Sequence, residues 1–204
     1  MFPTTENLDT ELSAVNSVLG AIGQAPVTEI NYDNPEVSFI ANIIQEVTQD
    51  LLNEGWVFNT ERNYPMKPDA DGRIKFPENI LRLDYSDNYY YREMDLVRRD
   101  GYLYDKISHT YEFDKPLNCD VVWAWAYKDI PPAFQRYIVI AASVRAAAQL
   151  VGSSELVSLL TQQQIQSRAT IMEYECNQGD YNMFGLPDGS SYRSYQPFTA
   201  LRRL

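Results

Sequence analysis

Residues 34–55 read NPEVSFIANIIQEVTQDLLNEG, and this stretch predicts one amphipathic helix together with both of its ends. Asn34 is a favourable N-cap, Pro35 suits the first turn, and Glu36 faces the positive end of the helix dipole. Gly55 stands where a left-handed residue would end the helix. The apolar residues recur at helical spacing, so one face needs a core to cover it: Val37, Ile40, Ala41, Ile44, Val47 and Leu51.

The segment before this helix predicts a second, shorter helix from about Thr10 to Ile22. Asp9 is a good N-cap for it, and Gly23 stands at the C-cap position. Its apolar stripe consists of Leu12, Val15, Leu19 and Ile22. Residues 1–9 are polar and predict an N-terminal arm.

The segment after Gly55 changes pattern, and residues 56–129 predict an inserted antiparallel β-domain. Four prolines would interrupt any helix there, and glycines suit turns at Asp69–Gly72 and Arg99–Gly101. The candidate strands are Val57–Thr60, Arg73–Phe76, Leu81–Tyr85, Tyr89–Val97, Tyr102–Lys106, His109–Phe113 and Asp120–Tyr127.

Two more helices are predicted after Pro131-Pro132. The first is rich in alanine, which allows close helix packing, and it ends at Gly152. Ser153 or Ser154 caps the second, which runs to about Tyr174. That last helix has few apolar residues and a broad glutamine-rich face, which is typical of a helix against water or a polar interface.

Together these segments predict an α+β protein, in which a four-helix bundle carries an inserted antiparallel β-domain and an extended C-terminal tail. The bundle comprises residues 10–55 and 130–175. Residues 176–204 contain three glycines and two prolines but remain rich in aromatic side chains. We therefore expect this tail to dock along a neighbour or partner. Packing on its own subunit is the alternative.

Composition narrows the range of functions. The net charge of −11 argues against gripping nucleic acid, because phosphate binding needs a basic surface. It does not exclude DNA that slides past a wall of like charge, and an acidic DNA-mimic inhibitor is an alternative. Cys119 and Cys176 form no CxxC motif and are expected to be reduced thiols. No signal peptide or long apolar stretch supports a membrane partner.

The sequence predicts no catalytic, cofactor-binding or metal-binding residues. His109 is the single histidine, so a small hydrolase would have to use it, and a His-rich zinc site is excluded. The run from Asp69 to Gly72 partly mimics a calcium loop, but Lys67 would occupy the first ligand position. No glycine-rich nucleotide motif is present.

Several short stretches, in order along the chain, resemble the tail tubular protein A family of head-to-tail adaptors from short-tailed phages. The run Gly55–Glu61 (GWVFNTE) is similar to a GW-x-FNTE element of that family, and Pro68–Gly72 begins the next similar block. The other matching stretches are Ser13–Gly23, Pro26-Val27, Asn34–Glu36, Phe76–Asn79, Leu83-Asp84, Arg99–Asp105 and Ile130-Pro131.

The resemblance implies a structural adaptor that forms a dodecameric ring at the head–tail junction of the virion, after assembly in the host cytoplasm. It implies the portal protein, the tail nozzle protein and tail fibres as partners, and genomic DNA passing without sequence-specific binding. Another head-completion or nozzle protein is the alternative in the same class. Candidate ring or channel-wall residues are Gln162, Gln163 and Gln166. Candidate portal- or neighbour-docking residues are Tyr181, Phe184, Tyr192, Arg193, Tyr195, Phe198, Arg202 and Arg203.

Overall fold

The computed structural model describes residues 11–86 and 94–179, in which helices flank an antiparallel sheet. The mixed α+β class is therefore confirmed. The helices are α1 (Glu11–Ala21), α2 (Pro35–Asn53), α3 (Pro132–Ala146) and α4 (Ser154–Gly179). The strands are β1 (Thr60–Met66), β2 (Ile80–Tyr85), β3 (Leu96–Arg99), β4 (Tyr102–Asp105) and β5 (Leu117–Trp123).

Helix α2 begins and ends where its local sequence predicts. The Asn34 side-chain oxygen accepts a hydrogen bond from the Glu36 N–H at 3.0 Å, which satisfies a donor of the first turn. Gly55 follows the helix with φ +78°, a left-handed conformation that favours glycine. The caps thus orient the chain for its entry into the sheet.

The three-stranded sheet has the order β1-β5-β2, with both pairs antiparallel. The central strand β5 is the most buried, and Cys119 and Val121 are fully enclosed. Strand β1 lies at the edge, where Pro65 is tolerated because an edge strand leaves some N–H groups unpaired. Strands β3 and β4 form a separate hairpin with the predicted turn, in which Gly101 has positive φ as the sequence predicts and Asp100 has positive φ as well.

The buried apolar residues form two clusters, one mainly among the helices and one around the strands. Phe134 of α3 lies in the helical cluster with ring centroids 4.9 Å from Trp56, 4.7 Å from Phe58 and 5.6 Å from Tyr174. Since Trp56 and Phe58 belong to the GWVFNTE stretch, this stretch joins α2 to the core of α3 and α4.

Asn59 connects the residues just before β1 to the end of β5 and to α2. Its side-chain oxygen accepts from the Trp56 N–H at 2.8 Å. Its amide nitrogen donates to the carbonyls of Leu52 and Trp123, each at 2.9 Å. Because Asn59 is 1% exposed, these bonds use the polar groups of a fully buried side chain.

Helix α3 contacts each of the other three helices. Buried alanines at 141, 142 and 146 permit this close approach, as the sequence indicates. A π-helical turn, Ala147–Val151, and the left-handed Gly152 then separate α3 from α4. Helix α4 continues to Gly179, so the predicted end near Tyr174 is wrong and residues 176–179 of the predicted extended tail are helical.

Several predicted strands need correction. Residues 57–59 form a 3-10 turn, and the strand begins only at Thr60. Arg73–Phe76 and His109–Phe113 contribute isolated bridges rather than full strands. The strand predicted over Asp120–Tyr127 is Leu117–Trp123. The N-terminal arm, residues 89–93 of another predicted strand, and residues 180–204 of the tail lie outside the described residues.

Candidate assembly surfaces

Helix α4 is fastened to the rest of the molecule by Arg168. Its guanidinium donates to both carboxylate oxygens of Glu54, at 2.9 and 2.5 Å. It also lies 5.0 Å from the ring centre of Trp56 and 5.6 Å from that of Tyr137. The hydrogen bond with Glu54 raises the pKa of Arg168 despite partial burial. This fork-and-stack geometry suits arginine and would not be reproduced by lysine.

A second attachment holds the C-terminal part of α4 to the 3-10 turn before β1. Both carboxylate oxygens of the buried Glu175 accept from the Val57 N–H, at 3.0 and 3.2 Å. Leu160 and Ile171 bury their side chains on the same side of the helix. One face of α4 is thereby fixed, and its opposite face is turned outward.

The sequence suggests three glutamines of α4 for a ring or channel wall, and of these Gln162 lies on the outward face. Gln162, Gln163 and Gln166 are all exposed. The eight tail residues suggested for docking lie outside the described residues: Tyr181, Phe184, Tyr192, Arg193, Tyr195, Phe198, Arg202 and Arg203. Both assignments remain predictions.

A row of exposed residues runs along α4, and we call it the outer seam. This row was not predicted from the sequence. Its members recur at alternating intervals of four and three: Ser158, Gln162, Ile165, Ala169, Met172 and Cys176. This spacing keeps a row of side chains on one side of a helix, as in helix–helix contacts. The spacing is visible in the sequence, but only the burial of Leu160 and Ile171 shows that it is the outer row.

Exposed apolar side chains are concentrated near this seam. Of the eight large hydrophobic side chains exposed among the described residues, five lie between Leu150 and Met172. Residues 156–167 contain no ionisable side chain, although 22% of the whole chain is charged. Apolar exposure combined with depletion of charge is typical of the centre of a protein interface.

A second surface of similar character lies between α1, α2 and the segment that follows β5. This groove of about 370 Å³, the α1–α2 groove, is bordered by the exposed aromatic residues Tyr32 and Trp125. Polar but uncharged side chains such as Asn42 and Gln45 line it, and Glu11 is its charged residue. Aromatic side chains at such a rim are common anchors in protein interfaces.

His109 lies in a loop that is held in place by hydrogen bonds to Asp105. Its φ is +55°, and its Nδ1 lies 3.4 Å from the Tyr104 hydroxyl. The nearby Asp105 is buried and accepts from the N–H groups of Asp95, Ile107 and Ser108 at 3.0–3.1 Å. Burial alone would raise the pKa of Asp105, but these hydrogen bonds outweigh it and lower that pKa. The carboxylate thus holds the loop rather than orienting the imidazole.

Cys119 and Asp69, the other residues considered for chemistry, also have structural roles or surroundings. Burial, with the charges of Asp120 and Asp84, raises the pKa of Cys119 to about 12, so its thiol stays protonated at neutral pH. Asp69 accepts from the N–H groups of Asp71 and Arg73, each at 2.9 Å, and so organises the predicted turn. Among residues 11–86 and 94–179, no group of three potential metal-ligating side chains comes together.

None of the helices in the described ranges is long and apolar enough to cross a membrane. The described surface offers a helix face without ionisable side chains between Glu155 and Arg168, and a groove whose one charged side chain among the described residues is Glu11. These define a protein whose surface is suited to contacts with other chains.

Comparison with known proteins agrees with this class. A model of the tail tubular protein family matches residues 12–181. The chain is also 35% identical over 124 residues to tail tubular protein A of Klebsiella phage KP34. That match covers 59% of this chain and 62% of the relative, so it spans less than two thirds of the relative's length. The chain belongs to the tail tubular protein family and is a structural component of a bacteriophage tail.

Proposed function

We propose that this chain is a head-to-tail adaptor that forms a ring between the portal and the tail nozzle of a short-tailed phage. The observation that carries the proposal is the exposed face of α4 between Glu155 and Arg168, which has no ionisable side chain and is held by Arg168 and Glu175, in a member of the tail tubular protein family. A ring of identical subunits needs such a fixed surface on each copy. The chain acts by shape and makes or breaks no covalent bonds.

The net charge suits a passage for DNA. Twelve copies carrying −11 each would bring about −130 charges to a dodecamer, so acids facing the lumen would repel the duplex. DNA would then be retained or released without adhering to the wall. Glu155 and Glu173, both exposed on α4, are candidates for such lumen-facing charges, beside Gln163 and Gln166. Gln162 belongs to the outer seam and is a candidate for the wall between subunits.

The ring is tested by sizing the purified protein with light scattering, first alone and then mixed with the portal protein. The expected result is a complex with several copies of this chain on each portal ring. A chain that stays monomeric with portal present would contradict the proposal. A chain that stays monomeric and binds a basic nuclease or repressor would favour the DNA-mimic inhibitor.

The role in the virion is tested by omitting the chain during phage assembly. We expect heads that carry no nozzle and lose their packaged DNA, as seen by electron microscopy and a nuclease-protection assay. Complete particles that hold their genome would contradict an adaptor role. His109→Ala should give normal infectious particles, whereas a hydrolase that used His109 would lose its activity.

The C-terminal tail is proposed to dock on the portal or on a neighbouring subunit. Most of it lies beyond residue 181, where the family match ends. Residues 180–204 carry two acids and three arginines, so their net charge of about +1 opposes that of the acidic body. Deleting residues 180–204 should abolish portal binding and leave the circular dichroism spectrum helical. A truncated protein that still caps portals would refute this part.

A further inference from the structure

We propose that the outer seam of α4 packs into the α1–α2 groove of a second copy of this chain. The inference rests on the proposed function and adds to it the two surfaces that would join neighbouring subunits. It places one face of each copy against a different face of the next.

The first argument is the arrangement of the seam itself. Six exposed residues follow the alternating spacing of four and three that helices use when they pack side by side. Ser158, Ala169 and Cys176 are small and allow close approach, while Ile165 and Met172 supply apolar area. Ile165 is 66% exposed, the highest value among the large hydrophobic side chains of the described residues. Covering these side chains removes apolar surface from water and so favours a packed partner.

The second argument is electrostatic. Copies of a chain with net charge −11 repel one another, so they can associate closely only through faces that carry little charge. The seam has no ionisable side chain between Glu155 and Arg168. Among the described residues that line the α1–α2 groove, Glu11 is the one charged side chain. These two faces therefore match in apolar and amide character, and the seam between Glu155 and Arg168 brings no acid to the groove.

The third argument is the relative position of the two faces. Gln45 in the groove and Glu54 beside α4 are nine residues apart on α2, which places them on opposite sides of that helix. Ala41 in the groove and Asp50 are also nine residues apart, and Asp50 bonds to Arg145 of α3, so α3 too lies on the side of α2 opposite the groove. The groove therefore faces away from α4. Two different surfaces on opposite sides of a subunit form a head-to-tail contact, which closes into a ring at a suitable angle.

The chain contains its own reporter for this contact. Cys176 lies in the seam and is exposed, whereas Cys119 is buried, and these are the two cysteines of the chain. Maleimide labelling of the full-length protein should modify Cys176 rapidly in the monomer. In the assembled ring, alone or on the portal, we expect labelling to slow by about tenfold or more, since the thiol becomes covered. Cys119 should stay unlabelled in both states.

A charged substitution in the seam gives a second readout. Ile165→Asp should leave circular dichroism and melting unchanged, because the side chain is exposed, and should block ring formation in sizing experiments. Ile107→Asp is the matched control, since Ile107 is also exposed, at 48%, but lies in the turn after β4 and belongs neither to the outer seam nor to the α1–α2 groove. That variant should assemble normally.

Mixing variants tests the pairing of the two faces. Gln45→Arg should block assembly by altering the groove, but it leaves the seam intact. Ile165→Asp leaves the groove intact. An equimolar mixture should therefore form heterodimers and stop there, because each pair has one functional contact. If the seam instead paired with the seam of another copy, Gln45→Arg alone would assemble normally, which would overturn the inference.

The outcomes separate this inference from the adaptor proposal. Rings that form while Cys176 reacts at the monomer rate, or while Ile165→Asp assembles normally, would overturn the seam contact and leave the adaptor function standing. A wild-type chain that forms no ring under any condition, with portal present, would overturn both.

Discussion

The side chain of Asn59 joins three separate parts of the fold by hydrogen bonds. It lies in the GWVFNTE stretch, is fully buried, and bonds to groups of α2, of the following turn and of β5. Two of its three bonds are donated by the amide NH₂ group, which aspartate lacks. The type of residue at this position is therefore fixed by its neighbours.

We expect Asn59→Asp to lower the free energy of unfolding by about 3 kcal/mol or more, because a buried carboxylate would face two carbonyl oxygens. Urea denaturation followed by tryptophan fluorescence measures this change. Asn53→Asp is the matched control, since Asn53 is exposed at the end of α2 and should change stability by less than about 0.5 kcal/mol. Equal losses in the two variants would show that Asn59 has no special role.

Asp105 gives a pH-dependent prediction at the same scale. Its pKa lies below the ordinary 3.8 in the folded protein, so its contribution is present above that pH and is lost as pH falls through the folded pKa. Asp105→Asn should cost about 1–2 kcal/mol at pH 7, because an amide cannot accept all three N–H groups. The difference between wild type and variant should shrink below pH 3.8.

Asp100→Asn is the control for this measurement. Asp100 occupies the hairpin turn with φ +52°, a conformation that asparagine also adopts readily. The free energy of unfolding of the Asp100→Asn variant should differ from that of wild type by less than about 0.5 kcal/mol. A pH-independent difference for Asp105→Asn would contradict the hydrogen-bonding explanation of its pKa.

Individual elements differ in how much the sequence reveals of them. The ends of α2 and the β3–β4 turn were predicted correctly, because Asn34, Gly55, Asp100 and Gly101 act on their own backbone. Strand β1 was missed beyond Thr60. Its pairing partner β5 is distant in the sequence, and the interior Pro65 is acceptable only at a sheet edge.

The end of α4 was missed for a related reason. Glu175 lies beyond the predicted end, and it is held by the Val57 N–H, more than a hundred residues away in sequence. The candidate wall residues Gln162, Gln163 and Gln166 could be named from composition. The outer seam could be identified only from the structure, because the sequence does not show which side of α4 is buried.

The attachment of α4 is testable by comparing two arginines. Arg168→Ala should lower the free energy of unfolding by about 1–2 kcal/mol, because it removes a bidentate ion pair and two ring contacts. Arg145→Ala should cost less than about 0.5 kcal/mol, since Arg145 pairs with the more exposed Asp50 and Glu46. Hydrogen exchange should show faster opening of α4 in the Arg168 variant alone. Similar losses in the free energy of unfolding for both variants would contradict the role of Arg168 in attaching α4.

At the scale of the whole molecule, the balance of charge and apolar surface predicts how assembly responds to salt. Raising NaCl from about 0.05 M to about 0.5 M screens repulsion between acidic copies and leaves apolar contacts in place. Self-association, measured by sedimentation velocity, should therefore strengthen. The Ile165→Asp variant should remain monomeric at both concentrations. Dissociation at high salt would show that ion pairs hold the subunits together.

The bridge that Asn59 forms between Leu52 and Trp123 has a consequence for how such proteins diverge. The polypeptide leaves the helices and returns to them at adjacent points, so everything from Thr60 to Val122 is a loop in topological terms. Strands can be lengthened, shortened or exchanged there without moving the helices that surround Phe134. If the outer seam joins neighbouring copies as proposed, a phage lineage can change the strands of this protein while keeping the same contact between subunits.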